Sequence, residues 1–122
     1  MKYDSISEHS VRALIERFYA RIRTDEVLGP IFEKALAGRW DDHIATLIEF
    51  WCSALHVKRG YTGDMLAAHQ PLARLSPALF PRWLALFRAT VAECFSEEAA
   101  RVIEDRAQRI ARNLESAIFN RA

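Results

Sequence analysis

Four side chains in this sequence combine chemical capacity with an apolar setting. His43 and His69 each sit in a strongly apolar helical stretch, and Tyr19 and Trp83 stand beside apolar stripes. Imidazole ligates metals and titrates near neutral pH. A phenol and an indole N–H need hydrogen-bond partners once buried. Histidine on an apolar face is often a satisfied core residue, and the residue types alone leave that reading open. One arrangement accounts for all four: a flat apolar cofactor between the two histidine-bearing helices, bound by His69, with His43, Tyr19 and Trp83 lining the opposite face. Haem suits this arrangement, because its iron accepts neutral imidazole and its faces pack against Leu, Phe and Trp. Zinc suits it less. It takes three or four protein ligands, and no carboxylate or thiolate stands at ligand spacing beside either histidine.

The elements that must position these residues are helical. The 4 glycines and 4 prolines group at Leu28-Gly29-Pro30, Gly38, Gly60 to Gly63, and Pro71 to Pro81. Between these breaks the apolar residues recur at helical spacing. Ser7 is a suitable cap for a first helix reaching about Arg23, with Val11, Leu14, Ile15, Phe18 and Ile22 as its buried stripe. Leu28 to Phe32 reads as a tight corner. Asp41 or Asp42 caps a helix ending near Leu55 that is apolar nearly all round, with His43, Leu47, Phe50 and Trp51 on one face. A short helix holding Met65, Leu66 and His69 ends before Pro71. A further helix after Ser76-Pro77 carries Phe80, Trp83, Leu84, Phe87, Val91, Cys94 and Phe95. The last begins at Ser96-Glu97-Glu98, with Val102, Ile103, Ala107, Ile110, Leu114 and Ile118 as its stripe and Glu104, Asp105, Arg109 and Arg112 on a solvated face. No segment alternates like a strand, so the fold class is all-α.

The chain has 122 residues, 51% hydrophobic and 27% charged, which describes a single globular domain over residues 1–122. A chain of this size buries roughly two-thirds of its unfolded surface. Its 17 basic and 16 acidic side chains leave a formal charge of +1. Nucleic-acid binders usually carry a basic excess, so nucleic acid is not an expected partner. No apolar run approaches the roughly 20 residues needed to span a bilayer. The start of the chain shows no signal-peptide pattern, and a cytoplasmic location is expected. Cys52 and Cys94 lie in apolar runs at no metal-type spacing and read as small core residues. Nothing in charge or stripe width suggests a dimer face, and a monomer is expected.

Several blocks, taken together, resemble a known family. Phe18-Tyr19-Ala20-Arg21-Ile22-Arg23, Leu28-Gly29-Pro30-Ile31-Phe32, Trp40-Asp41-Asp42-His43, Phe50-Trp51, Tyr61-Thr62-Gly63, Ala68-His69 and Arg82-Trp83-Leu84-Ala85-Leu86-Phe87 resemble the group III (P-type) truncated haemoglobins of the globin superfamily. They occur in that family's order and near its spacing from about Leu14 to Asn113, and the lack of a Gly-Gly pair agrees with group III. The resemblance implies a shortened globin, with helices packed two-over-two around haem b (iron protoporphyrin IX). By position, His69 is similar to the proximal iron ligand, Tyr19 and Trp83 to distal hydrogen-bonding residues, and His43 to the histidine at the distal entrance. Phe32, Leu47, Phe50, Met65 and Tyr61 are similar to cofactor contacts; Tyr61, Arg74 and Arg82 flank the proximal segment as candidates for the haem propionates. The sequence departs from the family pattern at Asp64, where a proline usually precedes the methionine, and at Pro71, which follows His69 early. Pro81 stands where a polar residue is usual, although a helix's first turn tolerates proline.

The function implied is reversible binding of dioxygen or another diatomic gas such as CO or NO. Two hydrogen-bond donors beside the ligand would slow its release, which favours scavenging, sensing or redox chemistry over delivery. An alternative is a haem-dependent redox enzyme, a nitric-oxide dioxygenase, peroxidase-like enzyme or nitrite reductase. These 122 residues show no flavin or nicotinamide domain, so turnover would be expected to draw electrons from a partner reductase. A second alternative is a haem-free helical interaction domain.

Overall fold

The computed structural model describes residues 2–58 and 79–119, the side chains of Phe80 and of residues 114–119 excepted. Within them the backbone forms α1 (Glu8–Thr24), α2 (Leu28–Leu36), α3 (Trp40–Ala54), α4 (Leu79–Cys94) and α5 (Glu97–Phe119). The expected short helix around Met65 and His69 lies outside the described residues. None of the described helices is long and apolar enough to cross a membrane.

Helix α1 is the hub, packing against α2, α3 and α4, while α5 packs on α4. Its expected stripe is the core: Val11, Leu14, Ile15, Phe18 and Ile22 are all buried. Ser7 closes its start in a reciprocal capping box, its Oγ accepting from the Ser10 N–H at 3.2 Å while its own N–H donates to Ser10 Oγ at 2.8 Å. Serine stands where glutamate is usual in this motif, and the same two amides are satisfied. On the outer side, Arg17 and Arg21 of α1 both pair with Glu93 of α4, and Arg21 donates to the buried Thr90.

The segment expected to be a corner at Leu28–Phe32 is instead the first turn of α2. Pro30 falls in that first turn, where its missing N–H would have had no intrahelical partner. Asp25 supplies the start signal, its Oδ2 accepting from the Val27 and Leu28 N–H groups at 3.1 and 2.8 Å. Gly29 permits α2 to leave α1 so steeply, because a Cβ there would stand 2.8 Å from the Arg23 carbonyl oxygen.

Helix α3 begins at Trp40, before the expected aspartate caps, and Asp41 and Asp42 occupy its first turn without capping it. It ends in a Schellman arrangement: the His56 N–H donates to Ser53 O at 3.1 Å and the Val57 N–H to Cys52 O at 2.7 Å. His56 holds φ 60°, in the left-handed region. Histidine adopts this conformation less readily than glycine. Replacing His56 with glycine is therefore expected to stabilise the chain by about 0.5–1 kcal/mol, read as a higher denaturant midpoint; a lower midpoint would show that the histidine side chain outweighs the backbone gain.

In α5 the buried face is Ala99, Ala100, Ile103 and Ala107, with Ile110 packed against it. Val102, expected in this stripe, is 53% exposed. The helical period puts Val102 near Arg101, Asp105 and Arg109 on the solvent side, and the small alanines set the face that meets α4. Cys52 and Cys94 are buried free thiols, as their apolar surroundings suggested.

Candidate functional site

Tyr19 is the centre of the cluster that joins the singled-out residues. It sits on α1 between the core stripe and α3, 4% exposed. Its hydroxyl lies 3.3 Å from His43 Nε2, and the two rings meet edge-on with centroids 5.4 Å apart. Phe32 of α2 and Trp40 of α3 also meet the Tyr19 ring edge-on, at 6.1 and 6.3 Å. Burial pushes the Tyr19 phenol well above its ordinary pKa. Across the neutral range it remains a neutral hydroxyl, able both to donate and to accept.

His43 is half-buried near the start of α3. Leu47 and Phe50 follow it at i+4 and i+7, so the three share a face. Leu47 and Phe50 are partly buried against the core, and Phe50 meets Trp51 edge-on at 5.7 Å. The continuous apolar character seen in this stretch of sequence therefore divides into a buried side, Ile48, Trp51 and Cys52, and a half-buried side, Ile44, Leu47 and Phe50.

Trp83 reaches the cluster from α4. Its indole stacks on Phe87 with centroids 5.4 Å apart and planes 3° from parallel, and Phe18 abuts it edge-on at 5.3 Å. Phe87 stacks in turn against Trp51 at 5.0 Å. Phe18 also meets Tyr19 edge-on at 5.2 Å, so one ring separates the tyrosine from the indole. Trp83 Nε1 makes no hydrogen bond to another of the described residues.

Two features were not singled out in the sequence. Trp40 backs Tyr19, held by an indole N–H bond to Glu33 Oε2 at 2.7 Å and by the Arg23 guanidinium 4.4 Å from its ring centroid. These are contacts between elements, and periodicity gives no sign of them. Asp25 joins three helices. Besides capping α2, it receives Arg82 Nε at 2.8 Å and Nη2 at 2.9 Å. Those bonds hold the Asp25 carboxyl at about 2, below its ordinary value, with the Arg82 hydrogen bonds as the largest cause. Asp25 stands two residues ahead of Val27, the N-cap of α2, and so outside the position where a capping residue is sought in a sequence. Arg82, a sequence candidate for a propionate, has its guanidinium on Asp25. His69, Met65, Tyr61 and Arg74 lie outside the described residues.

A neutral phenol beside an imidazole, an indole donor on a facing helix, and half-buried apolar side chains around them form a wall suited to a flat apolar group with a polar ligand at its centre. In an all-α fold this combination is what a haem-binding globin would present. The family model for bacterial-like globins matches residues 2–120. A group 3 truncated haemoglobin of Campylobacter jejuni is 34% identical over 122 residues, covering 98% of this chain and 96% of the relative. The crystal structure of a group III truncated haemoglobin from Campylobacter jejuni superposes with a TM-score of 0.91 at 34% identity, over 98% of this chain and 96% of that one. The chain belongs to the bacterial-like globin family, as a group III truncated haemoglobin, and has the truncated-globin fold. Membership implies a haem cofactor, and the described residues fit one: apolar side chains for the macrocycle and neutral donors for a ligand.

Proposed function

We propose that the chain binds dioxygen reversibly, with His69 as the proximal ligand and Tyr19, Trp83 and His43 as the distal residues. Bound haem supplies an iron that takes a diatomic gas. The observation that carries the reading is the buried Tyr19 hydroxyl, kept neutral by its surroundings and 3.3 Å from His43 Nε2. Tyr19 donates its one proton to the ligand while His43, with its proton on Nε2, donates to the tyrosine oxygen. Trp83 can only donate, which suits it to an acceptor carrying partial negative charge. Phe32, Leu47 and Phe50 exclude water on the distal side, and Met65 and Tyr61 belong to the cofactor contacts. Excluding water strengthens each of these hydrogen bonds, because a low-dielectric setting screens them less.

The same reading takes haem b as the cofactor, residues 1–122 as one domain, and a cytoplasmic monomer; an external reductase belongs to the redox-enzyme alternative. Replacement of His69 with alanine is expected to abolish most haem retention on gel filtration, with imidazole partly restoring it. Normal five-coordinate ferrous haem in the His69→Ala chain would refute the proximal assignment.

A further inference from the structure

We propose that Asp25 and Arg82 form a latch that positions Trp83 relative to Tyr19, and so sets how firmly the site retains its ligand; the inference rests on the dioxygen-binding reading. Asp25 stands where α1, the helix of Tyr19, ends, and its side chain caps α2, the helix of Phe32. The same carboxylate receives the residue next to Trp83 in the first turn of α4. Three helices that carry proposed distal residues thus meet at one acceptor.

The geometry distinguishes this pair from the ordinary surface ion pair, which contributes little. The Asp25 side chain is 11% exposed and Arg82 meets it through two parallel donors, a fork that fixes orientation as well as distance. Two backbone amides, of Val27 and Leu28, donate to the same Oδ2 that receives Arg82 Nε, so bonds from two directions hold the carboxylate in place. Gly29 lets the corner close this tightly, since a Cβ there would stand 2.8 Å from the Arg23 carbonyl oxygen.

On Trp83 the two constraints are complementary. Parallel stacking on Phe87 resists tilting of the indole but allows sliding within its plane. The start of a helix lacks intrahelical partners for its N–H groups and is the part most free to shift. Arg82 anchors that turn, and with it the direction of the Trp83 N–H. Asp25 and Arg82 are positioning residues in this scheme, and neither touches the ligand.

The test compares Asp25→Asn, Arg82→Gln and the double variant in the full chain. Asparagine caps a helix as well as aspartate does, so Asp25→Asn removes the charge pair and spares α2. The first readout is the indole N–H resonances of the 3 tryptophans in the full chain as purified, carbon monoxide being added to any haem-loaded sample, that of Trp83 being identified by its loss in Trp83→Phe. Each single variant is expected to shift or broaden the Trp83 resonance and leave that of Trp40 in place. The second readout is dioxygen dissociation from the haem-loaded chain, expected to quicken about fivefold in each single variant. The double variant should be no faster than the faster single, because both remove one interaction. Arg82→Lys, which keeps the charge and loses the fork, should fall between wild type and Arg82→Gln. An unmoved Trp83 resonance in both single variants would overturn the latch. So would an unchanged dissociation rate in variants that retain haem. A chain that took up no haem would overturn the proposed function instead, and the resonances alone would then decide the latch.

Discussion

Replacing Tyr19 with phenylalanine is expected to raise the dioxygen dissociation rate of the haem-loaded chain roughly tenfold or more. A hydrogen bond to a charged acceptor contributes about 1.5–3 kcal/mol, and each 1.4 kcal/mol is about a factor of ten in an equilibrium. The Tyr19 hydroxyl is buried, with His43 Nε2 at 3.3 Å as its partner. Burial keeps it protonated, so its donor capacity is present throughout the neutral range. Carbon monoxide carries less negative charge than bound dioxygen, and its dissociation should change much less. That contrast separates loss of a donor from general loosening of the pocket. Phenylalanine preserves the edge-on contacts with Phe18, Phe32 and Trp40, so the fold should be little disturbed. Stopped-flow displacement of dioxygen by carbon monoxide measures the rate, and an unchanged value would remove Tyr19 from the role given to it.

The second large effect is on stability. Phe87→Ala is expected to destabilise the chain by about 3–5 kcal/mol, a large share of the roughly 5–15 kcal/mol available to a folded domain. Phe87 is fully buried, stacks on Trp51 of α3 and Trp83 of α4, and receives the edge of Phe18 from α1. Truncation removes the ring that ties these three helices together and leaves a cavity between large, stiff neighbours that collapse poorly. Denaturant unfolding of the haem-free chain measures the loss free of ligand linkage. A loss under about 1 kcal/mol, far below the range for such truncations, would contradict the place given to Phe87 in the core. Because Trp83 rests on this ring, any folded Phe87→Ala chain should also release dioxygen faster.

The sequence revealed helices where one periodic stripe met a recognisable cap, as at Ser7 with Val11, Leu14, Ile15, Phe18 and Ile22. It misled where local signals competed. Gly29-Pro30 looks like a break, yet proline is harmless in a first turn and glycine is needed there for close approach to Arg23. Val102 and Ile103 are adjacent apolar residues on α5, and only the side on which Ala99, Ala100 and Ala107 are also buried shows that Ile103 is the core residue. Tyr19, His43 and Trp83 were legible as polar-tipped residues in apolar stretches, but their proximity is a property of helix packing. The anchoring of Trp40 by Glu33 and Arg23, and the meeting of Asp25 with Arg82, depend on chain crossings that no local pattern records.

The central claim is a histidine-ligated haem with an open distal position. The most direct measurement is the visible absorption spectrum of the purified chain, first ferric, then reduced with dithionite, then exposed to carbon monoxide. The expected result is a haem spectrum that sharpens and shifts on carbon monoxide binding and is lost in His69→Ala. Colourless protein that also fails to take up added haemin would contradict it.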